Sequence, residues 1–292
     1  MIIVKLMGGL GNQMFQYAAG RALSLKNDCE LKLDTEFLLD RSEKPKDFVF
    51  RNYDLDIFKL KVNIASSEEV RKLVPDQSTH FLKKVLNKVF TESNKYLKQQ
   101  GVHFYKPFFR KTPPLYLDGY WQSEKFFKPF EPEIRRDFEF KNPVQESSLS
   151  VLKKIVNTNS VCVNIRRGDF VNNAFHGTLG IDYYKNAEKI ISDRNKKLSY
   201  FVFSDDIDWC KSNIQLKGPT EFIEHNHAGE KFGTYLQLMT RCRHFIIPNS
   251  SFGWWAAWLN NNPDKIVIAP NKWFNNGPKD TQDIIPETWI KI

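Results

Sequence analysis

Cysteine is scarce in this chain. The 292 residues hold four, Cys29, Cys162, Cys210 and Cys242, far apart and with no CxxC among them. Such spacing argues against a zinc knuckle or a disulfide framework and predicts a reducing, cytoplasmic setting. Long apolar runs are missing too: none approaches the roughly 20 residues that span a bilayer. The opening MIIVKLMGGLGNQ lacks the apolar core of a cleavable signal peptide. With 14 Gly and 14 Pro the chain is not linker-like, and no motif recurs at the fixed period a solenoid requires.

What is present is an average globular balance, with 41% hydrophobic and 26% charged residues, and an aromatic content of 14% that can fill a large core. Lys and Arg (43) exceed Asp and Glu (34) by nine. A surplus of that size favours an anionic partner, whether nucleic acid, a phosphorylated small molecule or an acidic membrane face. The basic residues are scattered, as on a solvated surface, and form no tail.

Hydrophobic periodicity gives the organisation. Ile2 to Leu6 reads as a strand, followed by glycines and a helix from about Asn12 to Lys26, with Phe15, Ala18, Ala19, Ala22 and Leu23 on one face. Glu30 to Asp34 reads as the next strand, Ser78 to Gln99 as an amphipathic helix, and the proline-punctuated Val102 to Tyr120 as a loop or edge. From Leu149 strands and helices alternate. Strands are expected at Ser160–Ile165, Tyr200–Phe203, Phe245–Ile247 and Ile266–Ala269. Helices are expected at Ile181–Ser192, from near Asp206, at Phe232–Cys242 and at Phe252–Leu259. Repeated strand–loop–helix units predict parallel sheets. The polar, proline-bearing Lys141–Glu146 is the expected junction of two α/β domains, residues 1–146 and 147–292, facing a cleft.

Four stretches carry chemistry. In Met7-Gly8-Gly9-Leu10-Gly11-Asn12-Gln13, glycines and a helix start suit an anion, or simply a tight turn after a strand. Met14 stands where a dinucleotide fingerprint needs its third glycine, and no Lys-Ser/Thr pair completes a P-loop. The amides of Asn12 and Gln13 suit sugar hydroxyls. In Asn164-Ile165-Arg166-Arg167-Gly168-Asp169, two arginines stand at the carboxyl end of a strand, where α/β sheets bind ligands. A guanidinium there suits phosphate, with Asp169 holding one arginine; an ion pair bracing a turn is the alternative. In Ser204-Asp205-Asp206-Ile207-Asp208, a carboxylate past a strand reads a guanine edge or caps the next helix. The DxD at 206–208 matches a metal–nucleotide signature, but so short a match recurs at Asp54–Asp56, and no metal is expected. In Asn249-Ser250-Ser251-Phe252-Gly253, hydroxyls at a helix start make an anion nest or a plain cap.

Together with DGYWQSEKFF at 118–127 and LMTRCRHFIIPNSSFGWWAAWLN at 238–260, these stretches resemble the bacterial α-1,2-fucosyltransferases over nearly the whole chain. The resemblance implies a GT-B-like pair of Rossmann-like domains and inverting transfer of L-fucose from GDP-fucose to the 2-hydroxyl of a terminal β-galactoside, with neither metal nor cofactor. It implies that Arg166 contacts the diphosphate, with Arg167 and Asp169 shaping the same loop. It further implies that Asp205 or Asp206 reads guanine and that Ser250 and Ser251 hold phosphate oxygens. Asn12 and Gln13 would face the fucose and acceptor, and Tyr120, Trp121 and Glu124 would stand on the acceptor side. One departure stands out: the family has His where this chain has Asn164, a donor-side position that here cannot be protonated.

Asp118, Glu124, Asp169, His176 and Asp182 are candidates for a general base, and none stands out. A transferase for another GDP-sugar would fit the donor motifs equally well. A nucleic-acid-binding protein would fit the charge, but no recognised module appears and no nucleic acid is expected as partner. The basic surplus also offers a peripheral contact with the anionic inner membrane.

Overall fold

The computed structural model describes residues 1–45, 48–75 and 95–292. They divide into two compact units, Met1–Glu139 and Phe140–Ile292. Each is a Rossmann-like α/β unit with a parallel sheet, the pair that makes up the GT-B class of fold.

In the first unit the sheet order is β3-β2-β1-β5-β4, built from β1 (Ile2–Lys5), β2 (Leu31–Asp34), β3 (Asn63–Ile64), β4 (Tyr96–Lys98) and β5 (Leu115–Asp118). Every pairing is parallel. The β-branched Ile2, Ile3 and Val4 are buried on both faces, as a central parallel strand requires. Helix α1 (Leu10–Lys26) crosses from β1 to β2 and buries Phe15, Ala18, Ala19, Ala22 and Leu23. Gly20 lets it lie against the sheet, since a Cβ there would collide with Val4 Cγ2. The helix interior gives up about 1 kcal/mol of propensity for that approach. Short helices α2 (Glu36–Leu39), α3 (Ser67–Arg71) and α4 (Glu131–Asp137) complete the described part of this unit.

Two expectations change here. Residues 78–94 of the helix expected at Ser78–Gln99 lie outside the described residues, and its last residues form β4 instead. Tyr96 stacks on Tyr116 at 5.7 Å across the pairing with β5. The stretch Val102–Tyr120 contains β5, an interior strand between β1 and β4 rather than an edge. The prolines end just before Leu115, so they remove no ladder donor from the strand.

The second unit has the order β11-β10-β9-β6-β7-β8, all parallel. Its strands are β6 (Asn159–Ile165), β7 (Leu198–Ser204), β8 (Thr220–Phe222), β9 (His244–Ile246), β10 (Val267–Ala269) and β11 (Ile290–Lys291). The helices are α5 (Leu149–Val156), α6 (Ile181–Arg194), α7 (Ile207–Asn213), α8 (Gly233–Met239) and α9 (Ser251–Leu259). Val161, Val163, Tyr184, Ile191, Val202 and Ile246 belong to one buried cluster beneath the sheet. In α9, Trp254, Trp255 and Trp258 pack ring on ring, and the Trp254 indole N–H donates to the Ile284 carbonyl at 2.8 Å.

The units part at Glu139 and Phe140, ahead of the junction expected at Lys141–Glu146. That polar segment is tied into the second unit. Gln145 donates to Thr234 Oγ1 at 2.8 Å, and Gln237 donates to the Asn142 carbonyl at 2.7 Å. Among the described residues no helix is long and apolar enough to cross a membrane.

Candidate functional site

The chain runs outward from β6 in both directions: β7 and β8 lie on one side, β9, β10 and β11 on the other. The boundary between β6 and β9 is therefore a topological switch point, where loops leave in opposite directions and open a crevice at the carboxyl ends of the strands. The loops that frame it are 166–180 after β6 and 247–250 after β9.

The first loop carries the two arginines, and the structure gives them different work. Arg166 Nη2 pairs with Asp169 Oδ1 at 2.5 Å and Nη1 with Asp205 Oδ2 at 2.8 Å. Its guanidinium also lies over Phe170, 5.3 Å from the ring centroid. Arg167 turns the other way. Its Nε donates to Asp206 Oδ2 at 3.0 Å, its guanidinium lies 3.7 Å from the Trp209 ring centroid, and its backbone N–H donates to Asp205 Oδ1 at 2.8 Å. Asp206 at the same time caps α7, accepting the Trp209 N–H at 3.3 Å. The cap and the turn-bracing ion pair, both foreseen as alternatives, are thus present together.

Asn164 is buried beneath this loop. Its amide donates to the Phe203 carbonyl at 3.1 Å, and a Cβ on Gly253 would come within 2.6 Å of its Oδ1. It brackets β6 against β7 and α9.

On the other side of the switch point, Ser250 precedes α9 in extended conformation and its hydroxyl makes no capping bond. The helix begins with no acidic residue in its first turn, and Ser250 and Ser251 are half-buried. A helix start leaves its first N–H groups without intrahelical partners, and with two hydroxyls beside them it has the chemistry of an anion nest.

A cavity of about 500 Å³ opens at the switch point, with Asn173, His176, Thr178, Asn249, Lys272 and Phe274 among the residues lining it. Asn249 is almost fully buried and pins the walls together, its amide donating to the carbonyls of His176, Gly177 and Trp273 at 3.0, 3.3 and 3.1 Å. His176 stacks on Phe170 at 4.6 Å, so that Arg166, Phe170 and His176 form a ladder. Burial pushes the His176 imidazole below its ordinary range, and the Arg166 charge adds to that against the opposing pull of Asp169. Asn249 stood inside a motif, and Phe170 and Trp209 belonged to the stretches NIRRGDF and FVFSDDIDWCK, but Lys272 carried no sequence signal.

In the first unit the expected residues separate. Asn12 accepts a hydrogen bond from Gln122 at 2.7 Å and is half-buried. Gln13 is fully buried. It donates to the carbonyls of Gly8 and Asn52 at 2.9 and 2.8 Å, and accepts from the Asp54 N–H at 3.0 Å. Both amide hydrogens and the oxygen are used, so Gln13 ties loop 52–54 to the first glycine turn, and its expected catalytic part is corrected. Trp121 is likewise inaccessible, packed on Phe108 and Phe126 at 5.5 and 5.2 Å, and offers no face to a sugar. Tyr120 beside it is 46% exposed and does. Glu124 pairs with Lys128 at 2.8 Å.

Among the described residues no group of three or more His, Cys, Asp and Glu could hold a metal ion. Of the DxD pair, Asp206 is committed to Arg167 and the α7 cap, while Asp208 faces solvent beside Lys211.

The chain is 33% identical to the alpha-1,2-colitosyltransferase of Escherichia coli, over all of this chain and 98% of that one. It is 32% identical to the O-antigen biosynthesis glycosyltransferase WbnK of Escherichia coli, over 98% and 99% respectively. Against galactoside alpha-(1,2)-fucosyltransferase 2 of Rattus norvegicus it is 26% identical, over all of this chain and 77% of that one. A mutant of Arabidopsis thaliana FUT1 in complex with GDP shares the fold at a TM-score of 0.53 and 13% identity, covering 91% of this chain and 69% of that one. The model of glycosyl transferase family 11 matches residues 1–292, and the chain belongs to that family.

Proposed function

We propose that this glycosyltransferase moves L-fucose from GDP-fucose to the 2-hydroxyl of a terminal β-galactoside with inversion. The observation that carries the reading is the Arg166 guanidinium, held by Asp169 and Asp205 past the carboxyl end of β6, the strand that pairs with β9 ahead of the uncapped start of α9. As the anomeric C–O bond breaks, GDP leaves with the electron pair and its diphosphate gains charge. The acceptor oxygen bonds to the opposite face of the carbon and loses its proton. A preorganised cation and helix N–H groups aimed at the leaving phosphate lower that barrier without a metal ion. Ser250 and Ser251 add hydroxyl donors, and Asn12 and Tyr120 serve the acceptor side.

The similarity to a colitosyltransferase favours a second reading, in which the sugar moved is colitose, which lacks the 3-hydroxyl of fucose. The test is to offer the purified chain GDP-fucose or GDP-colitose with lactose and to read the linkage by NMR. An α-1,2-fucosylated product, formed equally well in EDTA, is expected. Transfer from GDP-colitose alone would move the assignment to the second reading, and EDTA inactivation reversed by manganese would remove the metal-free mechanism. We place the enzyme in the cytoplasm, with its net charge of +9 favouring the anionic face of the inner membrane. Sedimentation with anionic vesicles at physiological salt reads that contact.

A further inference from the structure

Between β8 and α8 the backbone takes a conformation that its residues resist. Gly229 (φ 71°), Lys231 (φ 53°) and Phe232 (φ 58°) are all left-handed. Glycine adopts that region freely, whereas a bulky side chain there is strained. The Phe232 ring gains little burial in exchange: it is 48% exposed, with its centroid 6.1 Å from that of Tyr235. A strained backbone that presents an aromatic ring to solvent costs stability twice. Strain of this kind collects at ligand sites, where the surroundings hold it in place.

Here the surroundings do hold it. Tyr235 ties both parts of the loop to α8, its hydroxyl donating to the Ile223 carbonyl at 2.6 Å and its N–H to the Ala228 carbonyl at 3.1 Å. Gln145 donates to Thr234 Oγ1, and a Cβ on Gly229 would collide with that hydroxyl. The loop is fastened to β7 as well. His225 Nε2 bonds to the Ser204 carbonyl at 2.9 Å, and Tyr235 packs edge-on against Phe203 at 5.4 Å.

Strands β6, β7 and β8 are consecutive neighbours in a parallel sheet. The loops that leave their carboxyl ends therefore carry Arg166, Asp205 and Phe232 along one edge. From β6 to β8 is two strand spacings, about 10 Å, a span that a nucleoside bridges when its phosphates lie at Arg166. Every nucleobase has a flat π-face, and an exposed ring at the far end of that span is a surface for it to stack on.

We propose that Phe232 is the stacking platform for the purine of the nucleotide donor, a contact to the face of the base rather than to its edge. This rests on the reading of the second unit as the holder of the nucleotide, with Arg166 at its diphosphate. The consequence is specific. Removing the ring should relieve strain and weaken binding at once, so stability and affinity should move apart.

The experiment titrates the full chain with GDP, ADP, guanosine and pyrophosphate and follows melting by circular dichroism. In Phe232→Gly the melting temperature should hold or rise, because glycine accepts the left-handed backbone. Affinities for GDP, ADP and guanosine should each fall about tenfold, and that for pyrophosphate less than about twofold. The preference for GDP over ADP should stay at its wild-type value, since stacking does not read the edge. Phe232→Trp should keep GDP affinity. Phe232→Leu, which keeps apolar bulk but not the flat face, carries the test if the glycine variant loses stability, and full GDP affinity in it would overturn the proposal. Unchanged GDP and guanosine affinity in Phe232→Gly would overturn it too, as would a loss confined to GDP with ADP unaffected. Arg166→Ala separates the two levels: if it leaves the GDP-to-guanosine affinity ratio unchanged, the reading of the nucleotide site itself fails. If it lowers that ratio while the Phe232 variants bind normally, only the role of Phe232 fails.

Discussion

The Arg167 guanidinium lies over Trp209, 3.7 Å from the ring centroid, with its Nε on Asp206. Adjacent arginines in one motif thus have different partners: Arg166 pairs with Asp169 and Asp205 and lies over Phe170, while Arg167 belongs to the packing between the β6 loop and α7.

That division predicts that the two differ in their effect on turnover. Arg167→Ala removes a cation–π contact and a charge-assisted bond, and should cost about 2 kcal/mol of stability. Arg167→Lys should recover only part of this, since an ammonium lacks the planar face that stacks. Arg166→Ala should also lower stability, because it strips Asp205 and Asp169 of their ion partner, and in the folded protein it should reduce turnover by about a hundredfold or more, which Arg167→Ala should not. Calorimetry and initial rates on the three variants decide it. An Arg166→Ala enzyme with near-normal turnover would end the leaving-group argument.

The contrast also shows what was legible beforehand. That paired arginines would stand at the carboxyl edge of a parallel strand was legible, because the strand-like run SVCVNI ends directly before them. Asp206 as a cap was legible for the same local reason. Gln13 was not: an amide at a helix start reads as a ligand for sugar until its partners at Asn52 and Asp54, some forty residues later, are seen. Strand β5 was hidden because prolines and aromatics surround four residues whose burial only the neighbouring strands reveal. Strands β8 and β11, of three and two residues, are too short to show alternation.

Tyr120 and Trp121 make a second pair of opposites. Trp121 is fully buried and Tyr120 is 46% exposed. Trp121→Ala should destabilise the first unit by about 3–5 kcal/mol through the cavity it leaves among Phe108 and Phe126. Tyr120→Ala should leave stability within about 0.5 kcal/mol. If its ring stacks on the acceptor, KM for lactose should rise several-fold while KM for GDP-fucose stays put. Unchanged acceptor KM would take Tyr120 out of the site.

The histidine beside Arg166 ties the site to pH. Burial holds the His176 imidazole below its ordinary 6.5, with Arg166 adding to the effect and Asp169 opposing it. His244 is lowered too, by burial and by Arg243, and its Nδ1 accepts the Ile266 N–H at 3.1 Å, a bond only the unprotonated nitrogen can make. For a base lowered on folding, the unfolded chain binds the extra proton first. Above about pH 6.5 both states are neutral at these positions and they contribute no slope. As pH falls through 6.5 the unfolded state gains protons and stability drops, until the folded pKa is passed and the slope vanishes again. NMR titration of the ring protons should therefore give midpoints below 6.5 for both residues. His176→Phe, which keeps the stack on Phe170, should flatten part of the stability loss between pH 7 and 5 seen in urea unfolding. A His176 midpoint at or above 6.5 would mean that Asp169 outweighs burial and Arg166, and would reverse the sign of the slope.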